Sequence, residues 1–486
     1  MSGAQHENSG RNGRIAGITA AALLAGCAGL PEDKPGAPQL SLHQLAPARV
    51  SHVNSRGWPR SMWWLKLKEP ALNRLIDTAL KDSPDLKATA QRMKTAEAFT
   101  EMRAAALLPQ VASGMSWDEM RLSKNSLFAK YAGETFALAM INPVILRYHI
   151  DVWGRDRAAL EEALGLAQAE QAEQLQARLL LTAALARGYY RLQLALDQER
   201  LAVGLADTVR ERSRLLQVRL DTGLGARQAM LNEQARLEEA EQRLSAIRLQ
   251  IRLLRHQIAA LCGQGPDWAD RIGPPAELPP GPPALPDTLP FHFLARRPDV
   301  VAAKLRADAA AKAIQVAQTA YYPDVNIRGF AGLHSVSVID ALFNSSSLAF
   351  AVGPTLELPI FEGGRLEANL KAREAGYDEA VERYNTALVQ ALQQAADAAD
   401  RLADIQRRAQ AQSEEVASLR EVVRLHDSLR QQGIADAAQV LEQRQALDLQ
   451  TLRLRGLEAD RYQAWVDLVE SLGGGIDSPA PTGKSG

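Results

Sequence analysis

Ser83-Pro84-Asp85-Leu86 opens a stretch that closes on Leu108-Pro109-Gln110-Val111, and both ends return later as Arg297-Pro298-Asp299-Val300 and Tyr322-Pro323-Asp324-Val325. Pro84 and Pro109 stand 214 residues before Pro298 and Pro323, and Ala88, Arg92, Ala96 and Ala106 recur in that frame as Ala302, Arg306, Ala310 and Ala320. Further along the offset falls to 210: Gly154-Arg155 returns as Gly364-Arg365, Gly223 as Gly433 and Gly263 as Gly473. Solenoid units repeat every ~20 to 50 residues, so this period reads as two copies of one large unit. The change of offset falls between Pro109 and Gly154, a region of strands and a loop, and the loop is expected to absorb it.

Each copy reads as a helix, two strands and a long helical hairpin. Pro84 suits a first helical turn and Pro109 a stop. Before it, Leu72, Leu75, Ile76 and Ala79 form one face of a shorter helix. Val144, Leu146, Tyr148, Ile150 and Val152 alternate with other residues, as do Val325, Ile327, Gly329, Ala331 and Leu333, then Leu348, Phe350, Val352, Leu356 and Leu358. Val111, Ser113, Met115 and Trp117 give a weaker fourth signal. Strands of about ten residues suit a tilted bilayer crossing. The loops between paired strands, about Arg121 to Glu134 and Ser335 to Ser347, are polar or small.

Residues 157–220 contain no proline and predict a helix of roughly 95 Å at about 1.5 Å per residue. It breaks at Asp221-Thr222-Gly223-Leu224-Gly225, and a return helix runs to about Cys262. The second hairpin runs from Arg365, turns at Gly433 and ends near Leu472. On the first return helix, Leu237, Leu244, Ile251 and Ile258 fall seven apart, with Ala240, Ile247, Leu254 and Leu261 in the companion frame. That is the seam of a coiled coil. The second return helix keeps Leu447, Leu454, Leu457 and Leu468 but places Gln450, Arg461 and Ser471 in the same frame, where they are expected to face a further partner or water.

These readings divide the chain into a leader (1–26), an N-terminal segment (27–82), a first repeat (83–264), a proline-rich connector (265–296), a second repeat (297–475) and a Gly/Ser/Pro tail (476–486). In the leader, Arg11 and Arg14 precede an apolar run that ends at Leu24-Ala25-Gly26-Cys27, the pattern of a bacterial lipobox. Cys27 is therefore the expected lipidation site, and Ala28 after it resembles the sorting signal of outer-membrane lipoproteins. Cys262, the other cysteine, has no partner left for an intrachain disulfide and lies on an apolar helix stripe.

Composition excludes several classes. The balance of 56 Lys+Arg against 57 Asp+Glu leaves no footprint for nucleic acid. No long apolar run follows the leader, so no transmembrane helix is expected. The eight histidines have no metal spacing, and Gly223-x-Gly225 is no phosphate loop. No catalytic constellation is present, so the chain is not expected to be an enzyme, and no cofactor beyond the lipid on Cys27 is expected. Four membrane-length strands form no closed barrel alone, and open edges in lipid leave unsatisfied backbone groups, so closure between chains is required. Two copies give eight strands and three give twelve, and only a larger barrel leaves a water-filled lumen.

The chain resembles the outer membrane factor family, the TolC-like channels, and within it the lipoprotein, NodT-like branch that serves RND-type efflux pumps. The residues carrying the resemblance are Cys27, Trp63-Trp64, Pro70 with Leu72-Asn73 and Ile76, Pro84-Asp85-Leu86 and Asp151-Val152-Trp153-Gly154-Arg155, then Leu358-Pro359-Ile360-Phe361-Glu362-Gly363-Gly364-Arg365 and Leu472-Gly473-Gly474-Gly475. Ile476 stands where the family usually has an aromatic. The resemblance implies a mainly α fold with transmembrane β: duplicated long α-hairpins forming a periplasmic α-barrel, and four strands per chain contributing to a trimeric 12-stranded outer-membrane β-barrel. It also implies a homotrimer in outer-membrane lipid, a periplasmic adaptor and an inner-membrane RND-type pump as partners, and export of small amphiphiles. A protein secretion duct and a non-channel structural lipoprotein are the alternatives.

The tips of the hairpins, Asp221, Thr222, Gly223 and Leu224 with Gln432, Gly433 and Ile434, match the family's adaptor-contacting region; any helical hairpin also needs a glycine at its turn. Val423, Asp427 and Arg430 share one helix face near the second tip. By resemblance, a carboxylate there lines the constriction, and three copies form an anionic ring. Arg430, of the same or an adjacent chain, is the expected partner of Asp427; an ordinary exposed i, i+3 pair is the plainer reading. Trp117, Phe136, Tyr148, Phe330 and Phe350 are candidates for an interface girdle, with core or lumen placement equally open.

Overall fold

The computed structural model describes residues 36–45, 62–125, 133–273, 281–283, 291–336, 342–434 and 437–474. Cys27, the leader and the tail lie outside the described residues, as do most of the connector and the middle of both strand–strand loops.

Helix α1 (Pro70–Asp82) buries Leu72, Leu75, Ile76 and Ala79, the face its spacing predicts. Then follow α2 (Pro84–Ala106), β1 (Gln110–Arg121), β2 (Thr135–His149), α3 (Arg155–Asp221) and α4 (Arg227–Leu261). After the connector come α5 (Pro298–Thr319), β3 (Asp324–Ser335), β4 (Leu348–Glu357), α6 (Arg365–Gln431) and α7 (Ala437–Ser471). Helices α3 and α6 both have 67 residues, and α4 and α7 both have 35. Among the described residues no helix is long and apolar enough to cross a membrane.

The chain forms two compact units, each drawing segments from both halves. The first holds Met93–Glu170 and Ala303–Tyr384, and with them the sheet, an antiparallel meander in the order β1-β2-β3-β4. Its outer strands, β1 and β4, each have one edge without a strand partner among the described residues. Register separates two faces. One carries Met115, Trp117, Val144, Leu146, Tyr148, Ile327, Leu333, Phe350, Val352 and Leu356. Several of these are bare, with Met115 79% and Phe350 77% exposed. The other carries Ser116, Asp118, Arg147, Asn326, Arg328 and Thr355, together with Phe136, Leu138, Met140, Ile145 and Phe330.

Strand β2 departs from the sequence reading. It begins at Thr135, well before the alternating run, and ends at His149, so Ile150 and Val152 are not strand. Both β2 ladders shift register around Asn142-Pro143. Proline lacks a ladder donor and is at home in a bulge. The bulge swaps the two faces of β2, which explains why one alternating frame does not run its length. Gly332 is matched to this bulge: a Cβ there would sit 2.3 Å from the Ile141 carbonyl oxygen. The length difference between the halves also lies mostly in the strand, since β2 has 15 residues against 10 in β4. The loop expected to absorb it does not.

At the end of β2 the ring of His149 lies between two carboxylates, Nδ1 2.5 Å from Asp156 and Nε2 2.8 Å from Asp324. Asp151 accepts the backbone N–H groups of Asp156 and Arg157, the first turn of α3. Burial works against its charge, but those amides and the Arg157 guanidinium outweigh it and hold the carboxyl below its usual range. Trp153 stacks on Tyr322 at 4.8 Å and donates to the Pro323 carbonyl.

The second unit holds Leu40–Arg92, Gln171–Ala302 and Asn385–Gly486. Its core is aromatic: Trp63 meets Trp465 at 6.0 Å, and Tyr190 stacks on Tyr462 at 4.3 Å. Within it Glu69 is 3% exposed and accepts from the Tyr189 hydroxyl at 3.0 Å. Burial pushes the Glu69 carboxyl up, and the tyrosine only partly offsets this. Cys262 is fully buried, and burial pushes its thiol up to about 11. It is an inert core residue.

Candidate gate, hairpin tips and sheet face

Both tips use the same helix stop. After α3, Gly223 (φ 75) donates to the Leu220 carbonyl and Leu224 to that of Arg219; after α6, Gly433 (φ 75) donates to Arg430 and Ile434 to Leu429. This left-handed glycine cap satisfies the last carbonyls of each helix. It leaves the next side chain in solvent, with Leu224 83% and Ile434 70% exposed. Thr222 Oγ1 donates to the Val218 carbonyl, Asp221 accepts from Gln217, and Gln432 donates its backbone N–H to Ser428. In the first tip a Cβ at Gly225 would lie 2.8 Å from the Leu220 nitrogen, so this turn requires glycine for space as well.

Near the second tip Val423 and Asp427 are half-buried and Arg430 is exposed. Within the chain Asp427 has another partner. Asp427 accepts from Nη2 of Arg444 on α7, at 3.0 and 2.9 Å, and Arg430 makes no ion pair among the described residues. The reason is geometric: Arg444 lies directly across the hairpin, whereas Arg430 points to solvent. One turn beyond Arg444, burial pushes the Asp448 carboxyl up, and Arg444 partly counters it. The hairpin interior is polar again where Gln412, 7% exposed, donates to Gln450 Oε1 at 3.1 Å. Ser471 does not face water as expected: it is buried, and its carbonyl accepts from Arg297 at 2.7 Å.

The first hairpin has an apolar seam. Ala240, Leu244, Ile247, Ile251, Leu254 and Ile258 are buried, while Leu237 and Leu261 at its ends are half-buried. One heptad before Ala240 the frame continues with Glu233, buried and 3.5 Å from both Arg212 and Arg236. That separation marks an ion pair beyond good hydrogen-bond geometry. Sequence reasoning missed Glu233, though extending the heptad reaches it, and Arg444, whose pairing at 17 residues' separation has no local signal.

Of the candidate girdle aromatics, Trp117, Tyr148 and Phe350 belong to the apolar sheet face; Phe136 and Phe330 belong to the polar one.

A sheet with a bare apolar face, in a chain that also carries two helical hairpins of equal length, points to a membrane protein. The chain belongs to the outer membrane efflux protein family, whose model matches residues 75–264 and 289–474. It is 30% identical to the multidrug resistance outer membrane protein MdtP of Escherichia coli K12 over 464 residues, 94% of this chain and 95% of that protein. It is 31% identical to the fusaric acid resistance protein FusA of Burkholderia cepacia, covering 74% of this chain and 69% of that one. Among solved structures, the outer membrane protein VceC of Vibrio cholerae aligns with a TM-score of 0.77 at 31% identity, over 86% of this chain and all of that one. The CmeC outer membrane channel of Campylobacter jejuni shares the fold with a TM-score of 0.80 at 20% identity, over 93% and 96% of the two chains.

Proposed function

We propose that this chain is the outer-membrane exit duct of a tripartite efflux system for small amphiphilic compounds. Three copies close a 12-stranded barrel edge to edge, with the apolar sheet face toward lipid and the polar face toward a water-filled lumen. The two halves are copies of one ancestral unit, and their hairpins extend into the periplasm as an α-barrel. Cys27 carries the lipid anchor. The observation that carries this reading is the sheet's pair of open edges beside a bare apolar face, because each unpaired backbone group left in lipid costs several kcal/mol. Membership of the efflux family and the names of its relatives support it.

In this reading a periplasmic adaptor seats on the glycine-capped tips, against Leu224 and Ile434. The constriction lies near the second tip, at Val423 and Asp427, where the Asp427–Arg444 pair holds the closed form. Energy comes from an inner-membrane RND-type pump. Native mass spectrometry of the detergent-extracted protein tests the assembly: the expected species is a trimer carrying lipid mass on Cys27. A monomer that forms no pore in a planar bilayer would return the reading to a structural lipoprotein.

A further inference from the structure

Register sets Arg147 of β2 directly opposite Arg328 of β3 on the polar face of the sheet. Like charges directly opposite on a sheet repel, so this placement works against the fold unless something else compensates. Among the described residues nothing in the chain does. Neither guanidinium makes an ion pair or side-chain hydrogen bond. Asp324, on the same face, is engaged by His149, while Asp118 and Glu357 form no ion pair with either arginine among the described residues. The row across the sheet is Gln110, Arg147, Arg328 and Gly353, and a Cβ at Gly353 would meet nothing within 4 Å. Space is therefore open beside the cations.

The next row supplies an apolar platform. Phe330 stacks on His334 at 5.0 Å, and His334 is fixed by a 2.9 Å hydrogen bond between Nε2 and Asn142 Oδ1. Ala351, a small residue, lies opposite Phe330. Both arginines, Phe330 and His334 line one cleft of about 670 Å³.

We propose that this cleft is a lumenal binding site for small aromatic carboxylates, the carboxylate bridging Arg147 and Arg328 while the ring packs on Phe330. This rests on the reading of the polar face as the lumen of an export duct, and it assigns that duct a preferred cargo class. Guanidinium recognises a carboxylate with paired donors, and the flat ring adds contact that a bare anion lacks. The site does not depend on the hairpin gate.

The test is single-channel current through the purified full-length protein in a planar bilayer, with benzoate, acetate or benzamide added. Benzoate is expected to block at concentrations about tenfold below acetate and benzamide, and R147Q/R328Q to weaken its block by about tenfold or more, since each lost charged hydrogen bond accounts for that order. The double variant also shifts reversal potential in a KCl gradient toward cations. R147K/R328K keeps the reversal potential of the wild type but loses part of the block, because lysine lacks the planar fork. Equal block by benzoate and benzamide in the wild type overturns the site even if no variant assembles. So does benzoate block that is unchanged in R147Q/R328Q. Block by acetate equal to benzoate reduces the site to an unspecific cationic patch and overturns the aromatic assignment. A trimer that passes no current under any condition overturns the duct itself, which the other outcomes leave intact.

Discussion

The two hairpins have the same skeleton and different interiors. Helix lengths agree residue for residue, and both tips end on a glycine with φ 75. Their seams agree at the root, where Ile258 and Leu468, 210 residues apart, are both buried, and again at Ile247 and Leu457. At other positions they part. Ala240 corresponds to Gln450, and Ile251, 5% exposed, corresponds to Arg461, whose Nε is buried without a partner. Both hairpins are crossed by ion pairs, Arg212–Glu233 and Arg248–Glu199 in the first and Asp427–Arg444 in the second, but only the second also places a glutamine pair, Gln412–Gln450, in its seam. Helix length and a left-handed glycine therefore set the shape, while the seam sets how readily a hairpin loosens. Apolar packing loses contact as soon as it opens, whereas polar pairs exchange readily for water. This is the physical reason to place the moving part in the second hairpin.

The most disruptive way to break the comparison is to give the first hairpin the second one's residue. Ile251→Arg buries a guanidinium without a partner and should cost about 3 to 5 kcal/mol. Denaturant unfolding in detergent measures it, and a loss below ~1 kcal/mol would mean the apolar seam is not holding the hairpin. At the shared root, Ile258→Ala and Leu468→Ala should cost about 2 to 5 kcal/mol each, and by similar amounts. A large disparity between them would show that the hairpins differ even where their burial matches.

Between the hairpins, Glu69 sits among Tyr189 of α3 and Tyr462 of α7. Its folded pKa is raised, so its stabilising contribution is present below the ordinary carboxylate range and is lost as pH rises through the folded value. Glu69→Gln should therefore raise the melting temperature at pH 7, and the advantage should vanish below about pH 4. A gain that is the same at both pH values would show that the carboxyl is not held up by burial. The smallest effect on stability belongs to Asp427→Ala. Both partners are substantially exposed, so the loss should stay under about 1 kcal/mol.

The sequence made the skeleton legible because its signals are local and repeated: proline stops, glycine turns, a heptad and alternating strands. What it hid is non-local. The Asn142-Pro143 bulge swaps the faces of β2, so Phe136 and Leu138 share a face with Ile145 and Arg147 and no single alternating frame survives. Arg147 and Arg328 are 181 positions apart and become neighbours only through register. Asp427 has a basic residue within reach on its own helix, and periodicity favours Arg430, yet the hairpin fold brings Arg444 closer. Local spacing finds faces; partners across faces need the fold.

Single-channel conductance in planar bilayers of wild type, Asp427→Ala and Glu233→Ala separates the two hairpins as sites of the gate. Each variant removes the acid of an ion pair spanning one hairpin. The account predicts that all three assemble as pores and that Asp427→Ala raises conductance or open time. Glu233→Ala should leave both unchanged. An equal response from the two variants, or a response from Glu233→Ala alone, would contradict a gate set in the second hairpin by its polar interior.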